Sequence, residues 1–122
     1  MVNPYDTYLK TTVETAPPIK QVVMLYDRAI VALREAEENI KNNDIQSKIN
    51  NIYKAVDIIN ALDSALDMEN GGEIASNLRD LYDFIDRQLV IVNSKNDLTL
   101  LNDLIEILET LKSGWEEISS QT

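Results

Sequence analysis

Apolar residues recur at steps of three and four along nearly the whole chain, in four long runs separated by short polar stretches, and that period belongs to the α-helix. The first run is Ile19, Val22, Val23, Tyr26, Ala29, Ile30, Leu33, Ala36 and Ile40, reaching about Lys41. The second is Ile45, Ile49, Ile52, Val56, Ile59, Leu62 and Leu66. The third is Ile74, Leu78, Leu81, Tyr82, Ile85, Leu89 and Val92, and the fourth is Leu101, Leu104, Ile105, Leu108, Leu111, Trp115 and Ile118. Every run keeps the helical period, and the pattern admits no strand.

The residues between the runs are turn and cap formers. Pro17 and Pro18 precede the first run, where a missing amide is tolerated in the opening turn of a helix. Asn42-Asn43-Asp44 offers a turn and an N-cap side chain, Asn70-Gly71-Gly72 is expected to close the second helix, and Asn93-Ser94-Lys95-Asn96-Asp97 supplies the third turn. Helices joined by connections this short run antiparallel to their sequence neighbours. The expected fold is therefore all-α, an antiparallel up-and-down four-helix bundle over residues 17–122. Residues 1–16 precede it as an N-terminal arm or short cap helix, since Tyr5, Tyr8, Leu9 and Val13 keep the helical step over one short stretch. Ser119 to Thr122 reads as a loose tail.

A chain of 122 residues supports one core, and a composition of 44% hydrophobic and 26% charged residues is that of a folding domain rather than a disordered one. Acidic residues number 21 against 11 basic ones, a formal charge of −10, which repels a phosphate backbone or an anionic membrane. Nucleic acid and membrane are poor partners, whereas a basic or apolar polypeptide is a suitable one. The start, Met1-Val2-Asn3-Pro4-Tyr5-Asp6, has neither the basic opening nor the apolar run of a signal peptide, and no stretch is apolar enough to span a bilayer. A cytoplasmic location is expected.

Catalytic chemistry finds little to work with. The chain has no cysteine and no histidine, which removes thiol nucleophiles, disulfides, thiolate ligands and the commonest general base. The Glu-x-x-His ligands of a two-metal bundle are excluded with the histidine. Asp67, Glu69 and Gly72 resemble the opening of a calcium loop, but its twelfth position would be Leu78 instead of glutamate. Asp57, Asp63 and Asp67, and Asp80, Asp83 and Asp86, read as solvated helix faces, some pairing with Arg79 or Arg87. Acid and base work by two carboxylates would need burial and a pocket that nothing in the sequence indicates, and no phosphate loop or serine elbow is present. No cofactor, no metal and no enzymatic activity are expected.

Apolar residues exceed what one stripe per helix requires. Met24, Leu25, Val31 and Ala32 lie off the main stripe of the first helix, and Ala75, Phe84, Val90 and Ile91 off that of the third. Such residues either bury a helix on two sides or line a groove for the arm or a partner helix. Trp115 is either a core anchor or a partner contact.

Particular words in the sequence go further. Val23-Met24-Leu25-Tyr26-Asp27, followed by Ala29-Ile30, resembles the opening of the first helix in the FliS family of flagellin export chaperones. Leu66-Asp67-Met68-Glu69 leads into Gly71-Gly72-Glu73-Ile74-Ala75, then Asn77-Leu78 and Leu81-Tyr82-Asp83, a block similar to that family's most recognisable stretch. Arg87, Leu89, Asn93, Asp97 and Trp115 follow in the same order, so the resemblance runs from about Tyr8 to Ile118. Arg28 and Pro17 depart from it, where the family often has glycine and a capping serine.

The resemblance implies a cytoplasmic chaperone that binds the disordered C-terminal segment of flagellin and prevents its premature polymerisation. It also implies presentation of that cargo to the export gate through the cytoplasmic domain of FlhA. On this reading the contact residues are Tyr8 and Leu9 in the arm, Met24, Leu25 and Asp27 on the first helix, and Ile74, Asn77, Leu78, Leu81 and Tyr82 in the glycine block. Core packing is the competing role for each apolar member, and capping or bridging for Asp27 and Asn77. The arm would compete with cargo for one surface. The alternative is a helical regulatory or self-associating protein, a homodimer formed through that surface.

Overall fold

The computed structural model describes residues 18–120. Four helices fill them: α1 (Pro18–Lys41), α2 (Ile45–Ser64), α3 (Gly72–Lys95) and α4 (Leu98–Ser120). The expected arm over residues 1–16, with Tyr8 and Leu9, lies outside the described residues, as do Pro17 and the last two residues of the tail.

Side-chain chemistry sets each helix end. Asn43 takes the left-handed conformation at φ 57° after α1, and the Asp44 amide returns to the Asn39 carbonyl at 2.8 Å. The Asp44 carboxylate then accepts the Ser47 amide at 3.2 Å and caps α2. Asn96, at φ 54°, closes α3 with its amide on the Val92 carbonyl at 2.8 Å, and Asp97 accepts the Leu100 amide at 3.0 Å to open α4.

Two boundaries differ from the sequence expectation. Helix α2 stops at Ser64, ahead of Asn70-Gly71-Gly72, because the Asp67 carboxylate draws the Glu69 and Asn70 amides (3.2 and 3.0 Å) into a separate turn. Leu66 leaves the helix but still packs against the core. Gly72, with φ 54°, opens α3 rather than closing α2. Helix α3 in turn continues through Asn93, Ser94 and Lys95, where a turn was expected, since only Asn96 takes the left-handed conformation.

The four helices form a ring. Each packs on its sequence neighbours and α4 closes onto α1, with α1 and α2 the most closely packed pair and α3 and α4 the loosest. Antiparallel order is visible in the α1–α4 bonds: Asp27 pairs with Lys112, Arg34 with Glu109, and Glu37 with Asn102. Tyr26, Leu33, Ile59, Ile85, Leu89, Leu101, Leu104 and Leu108 fill the centre. No described helix is long and apolar enough to cross a membrane.

Candidate partner-binding grooves beside the fourth helix

Side chains that cross between helices fasten the bundle unevenly. The three α1–α4 bonds secure one seam. Across α2 and α3, Lys48 donates to the Asn93 carbonyl and the Asn96 side chain, each at 2.8 Å, while Arg79 pairs with Asp63 at 3.1 Å. Between α3 and α4 lies an apolar groove of about 450 Å³, lined by Leu81, Ile107 and Leu111 and edged by Asp103, Glu106 and Thr110.

Helical spacing extends this groove along α3. Ile74, seven residues before Leu81, and Phe84, three residues after it, lie on the same stripe, and Ile91 is seven beyond Phe84. Ile74 is 72% exposed, Phe84 40% and Ile91 37%, too much apolar surface on one stripe to be explained by packing within the bundle. Leu78 and Leu81 are partly buried against the core, and Asn77 is exposed beside them. Part of the apolar surplus is thus surface. Ala32 and Ala75 are buried, whereas Val31, Phe84, Val90 and Ile91 are exposed.

A second groove of about 450 Å³ lies on the opposite side of α4, between Lys20, Val23 and Met24 of α1 and Glu116, Ser119 and Ser120. The candidates from the first helix divide here. Met24 lines this groove, Leu25 packs against the core, and Asp27 bridges to Lys112 at 2.9 Å, which holds the Lys112 ammonium above its usual pKa. Asp27 has the bridging role that competed with partner contact.

Tyr82 does not reach the surface. It is 2% exposed, and its hydroxyl lies 2.5 Å from that of Tyr26, so of the glycine-block candidates only Ile74, Asn77, Leu78 and Leu81 present surface. Trp115 is partly buried against the core, beside Tyr26. The glycine block itself is a structural turn. The Asp67 carboxylate accepts from the Asn70 side chain (2.9 Å) and from the Asn70 and Glu69 amides, which holds it below the usual carboxylate range, and the Gly71 amide donates to the Asp67 carbonyl at 2.8 Å.

Sequence reasoning missed the α4 wall. Ile107 falls outside the fourth stripe, and that surplus was the available signal. It also missed Asp86, counted among solvated carboxylates. One oxygen of Asp86 is buried without a hydrogen-bond partner, and burial, followed by the nearby charges of Asp83 and Asp63, pushes its pKa up to about 6.

Comparison with known proteins agrees with this architecture. The family model for the flagellar protein FliS matches residues 1–122. The flagellar secretion chaperone FliS of Vibrio cholerae is 42% identical over 117 residues, covering 93% of this chain and 86% of that protein. The protein of the same name from Salmonella typhimurium is 36% identical over 112 residues, with 91% and 83% covered, and that from Bacillus subtilis 31% over 115 residues, with 94% and 85% covered. A crystal structure of a bacterial flagellar chaperone superposes with a TM-score of 0.80 at 21% identity, covering 97% of this chain and 96% of that one, a likeness of fold. The four-helix bundle, its glycine turn and the match along the entire sequence place this chain in the FliS family of flagellar proteins.

Proposed function

We propose that this chain is a cytoplasmic flagellar export chaperone that holds the C-terminal segment of flagellin, keeps it from polymerising prematurely, and delivers it to the export gate through the cytoplasmic domain of FlhA. It acts by binding alone, with no bond made or broken. The observation that carries this reading is the exposed apolar stripe of α3, Ile74, Phe84 and Ile91, continuing the groove in which Leu81 meets Ile107 and Leu111 of α4. A disordered segment that forms an amphipathic helix can bury its apolar face there, and the acidic rim of Asp103 and Glu106 favours basic flanks. Residues 1–16 compete with cargo for apolar surface through Tyr8 and Leu9. Affinity is set by the excess of apolar burial over the entropy of ordering the cargo, which leaves release within reach of the export gate.

Calorimetric titration with the last ~50 residues of flagellin from the same organism, a length of several helical turns, tests the reading. Saturable binding with a large negative heat capacity change is expected. A folded protein that gives no binding heat at several temperatures would exclude this cargo. The exposed Ile74, Phe84 and Ile91 also suit a second copy of the chain, and sedimentation without partner separates that homodimer from the cargo complex.

A further inference from the structure

The two walls of the α3–α4 groove are connected beneath it by a buried polar relay. Tyr82 follows Leu81 on one wall, and Trp115 stands one turn beyond Leu111 on the other. Both side chains meet the hydroxyl of Tyr26 on α1: the Tyr82 hydroxyl bonds to it at 2.5 Å, and the Trp115 side chain, packed on the core, lies beside it. Tyr26 and Tyr82 are 0% and 2% exposed, and their rings sit 6.5 Å apart at 47°. A tyrosine hydroxyl left unpaired in a dry core would be disfavoured, so the Tyr26–Tyr82 bond of the relay holds α3 to α1 at one spacing.

The groove at that spacing is narrow. A volume of about 450 Å³ accepts a few apolar side chains. A helix with its side chains is roughly 10–12 Å across, so seating one deeply requires α3 and α4 to part.

We propose that Tyr26, Tyr82 and Trp115 form a latch on the α3–α4 groove: the relay keeps it narrow in the free protein, and deep seating of a partner helix breaks the Tyr26–Tyr82 bond. The proposal rests on the cargo reading above and adds the element that regulates it. Because the closed state is stabilised by the relay, cargo binds an opened minority, and weakening the latch raises apparent affinity. Tyr26 meets both Tyr82 and Trp115, so its loss acts more strongly than that of Tyr82. The three residues act through the groove walls and are positioning residues.

The test compares Tyr82→Phe and Tyr26→Phe with the wild type, and with Ile59→Val as a control for general destabilisation in the core of α2. Affinity for the same flagellin segment and hydrogen exchange of the free proteins are measured. The latch predicts roughly fivefold tighter binding for Tyr82→Phe, a larger gain for Tyr26→Phe, and none for Ile59→Val. It also predicts faster exchange in α3 and α4 around Leu81 and Leu111, with α1–α2 amides unchanged. Unchanged or weaker binding by both tyrosine variants, in folded protein, overturns the latch. If the wild type itself does not bind the segment, the cargo reading fails and exchange alone decides: selective loosening of α3 and α4 upholds the latch, and uniform or absent loosening overturns it.

Discussion

The hydroxyl of Tyr26 lies 2.5 Å from that of Tyr82, joining α1 to α3 across the diagonal of a four-helix ring whose other named bonds run between adjacent helices. Burial raises the pKa of both phenols. For Tyr26 the neighbouring Tyr82 hydroxyl and the Trp115 side chain act in the opposite direction, and for Tyr82 the bond to Tyr26 and the charge of Asp63 add to the rise. A folded pKa above the unfolded value of 10.0 means that the native state binds more protons in alkali, so its stability is intact below pH 10 and falls above it. Alkaline titration followed by tyrosinate absorbance should show these two phenols ionising together with loss of helical circular dichroism. Their ionisation in fully helical protein would contradict the buried pair.

Asp86 carries a consequence of the same sign in the acid range. Its pKa is raised from 3.8 to about 6, so the folded state favours the neutral carboxyl, and this group's contribution to stability declines as pH rises from about 4 to 6. Above pH 6 the buried charge beside Asp83 and Asp63 is unfavourable by on the order of 1 kcal/mol after solvent screening. Asp86→Asn should therefore be more stable than the wild type at pH 7 and lose the advantage near pH 4, as measured by urea unfolding at both pH values. Equal stability at pH 7 would place Asp86 in water.

The two adjacent glycines should differ. A Cβ on Gly71 would lie 2.5 Å from both the Asp67 carbonyl oxygen and the Ala75 side chain, so Gly71→Ala must shift backbone and should lose about 2–3 kcal/mol. Gly72 has open space and a φ of 54°, so Gly72→Ala meets only the left-handed strain, about 1 kcal/mol. Chemical denaturation that ranked them in the reverse order would contradict this turn.

Lys48 is buried at 6% exposure, and its ammonium satisfies the Asn93 carbonyl and the Asn96 side chain at the C-terminal end of α3, where a positive charge is also favoured by the helix dipole. Lys48→Met keeps the apolar stem but strands those acceptors, and should lose about 1–3 kcal/mol. Hydrogen exchange should locate the damage in the last turn of α3. A neutral substitution would mean that water serves both acceptors equally well.

Phe84 and Ile74 sit on the α3 stripe with little role in the core, so Phe84→Asp and Ile74→Asp should leave the unfolding temperature nearly unchanged. Each should weaken binding of the flagellin segment roughly tenfold, about 1.4 kcal/mol. Full affinity in both variants would move the cargo off this face of α3.

The sequence alone determined the helices, because the three-and-four step of apolar residues such as Leu33, Ile59 and Leu104 survives any arrangement of the chain. It also determined the antiparallel order, since connections of a few residues allow nothing else, and the family, through the words around Met24 and Gly71. Two helix boundaries were not legible. Whether Asp67 caps a turn or extends α2 depends on which amides its carboxylate reaches, and five turn formers in a row, Asn93 to Asp97, do not say that Asn96 is the one that turns left-handed. Only the tertiary structure decided which surplus apolar residues are surface. Phe84 and Ala75 look alike in a periodicity, but one edges the loosest seam and the other is buried. Tyr82 and Asp86 followed the same logic in opposite directions, the first from expected contact to core, the second from expected solvent to a buried oxygen. Burial is a property of the helix packed opposite, and one helix's own spacing does not contain it.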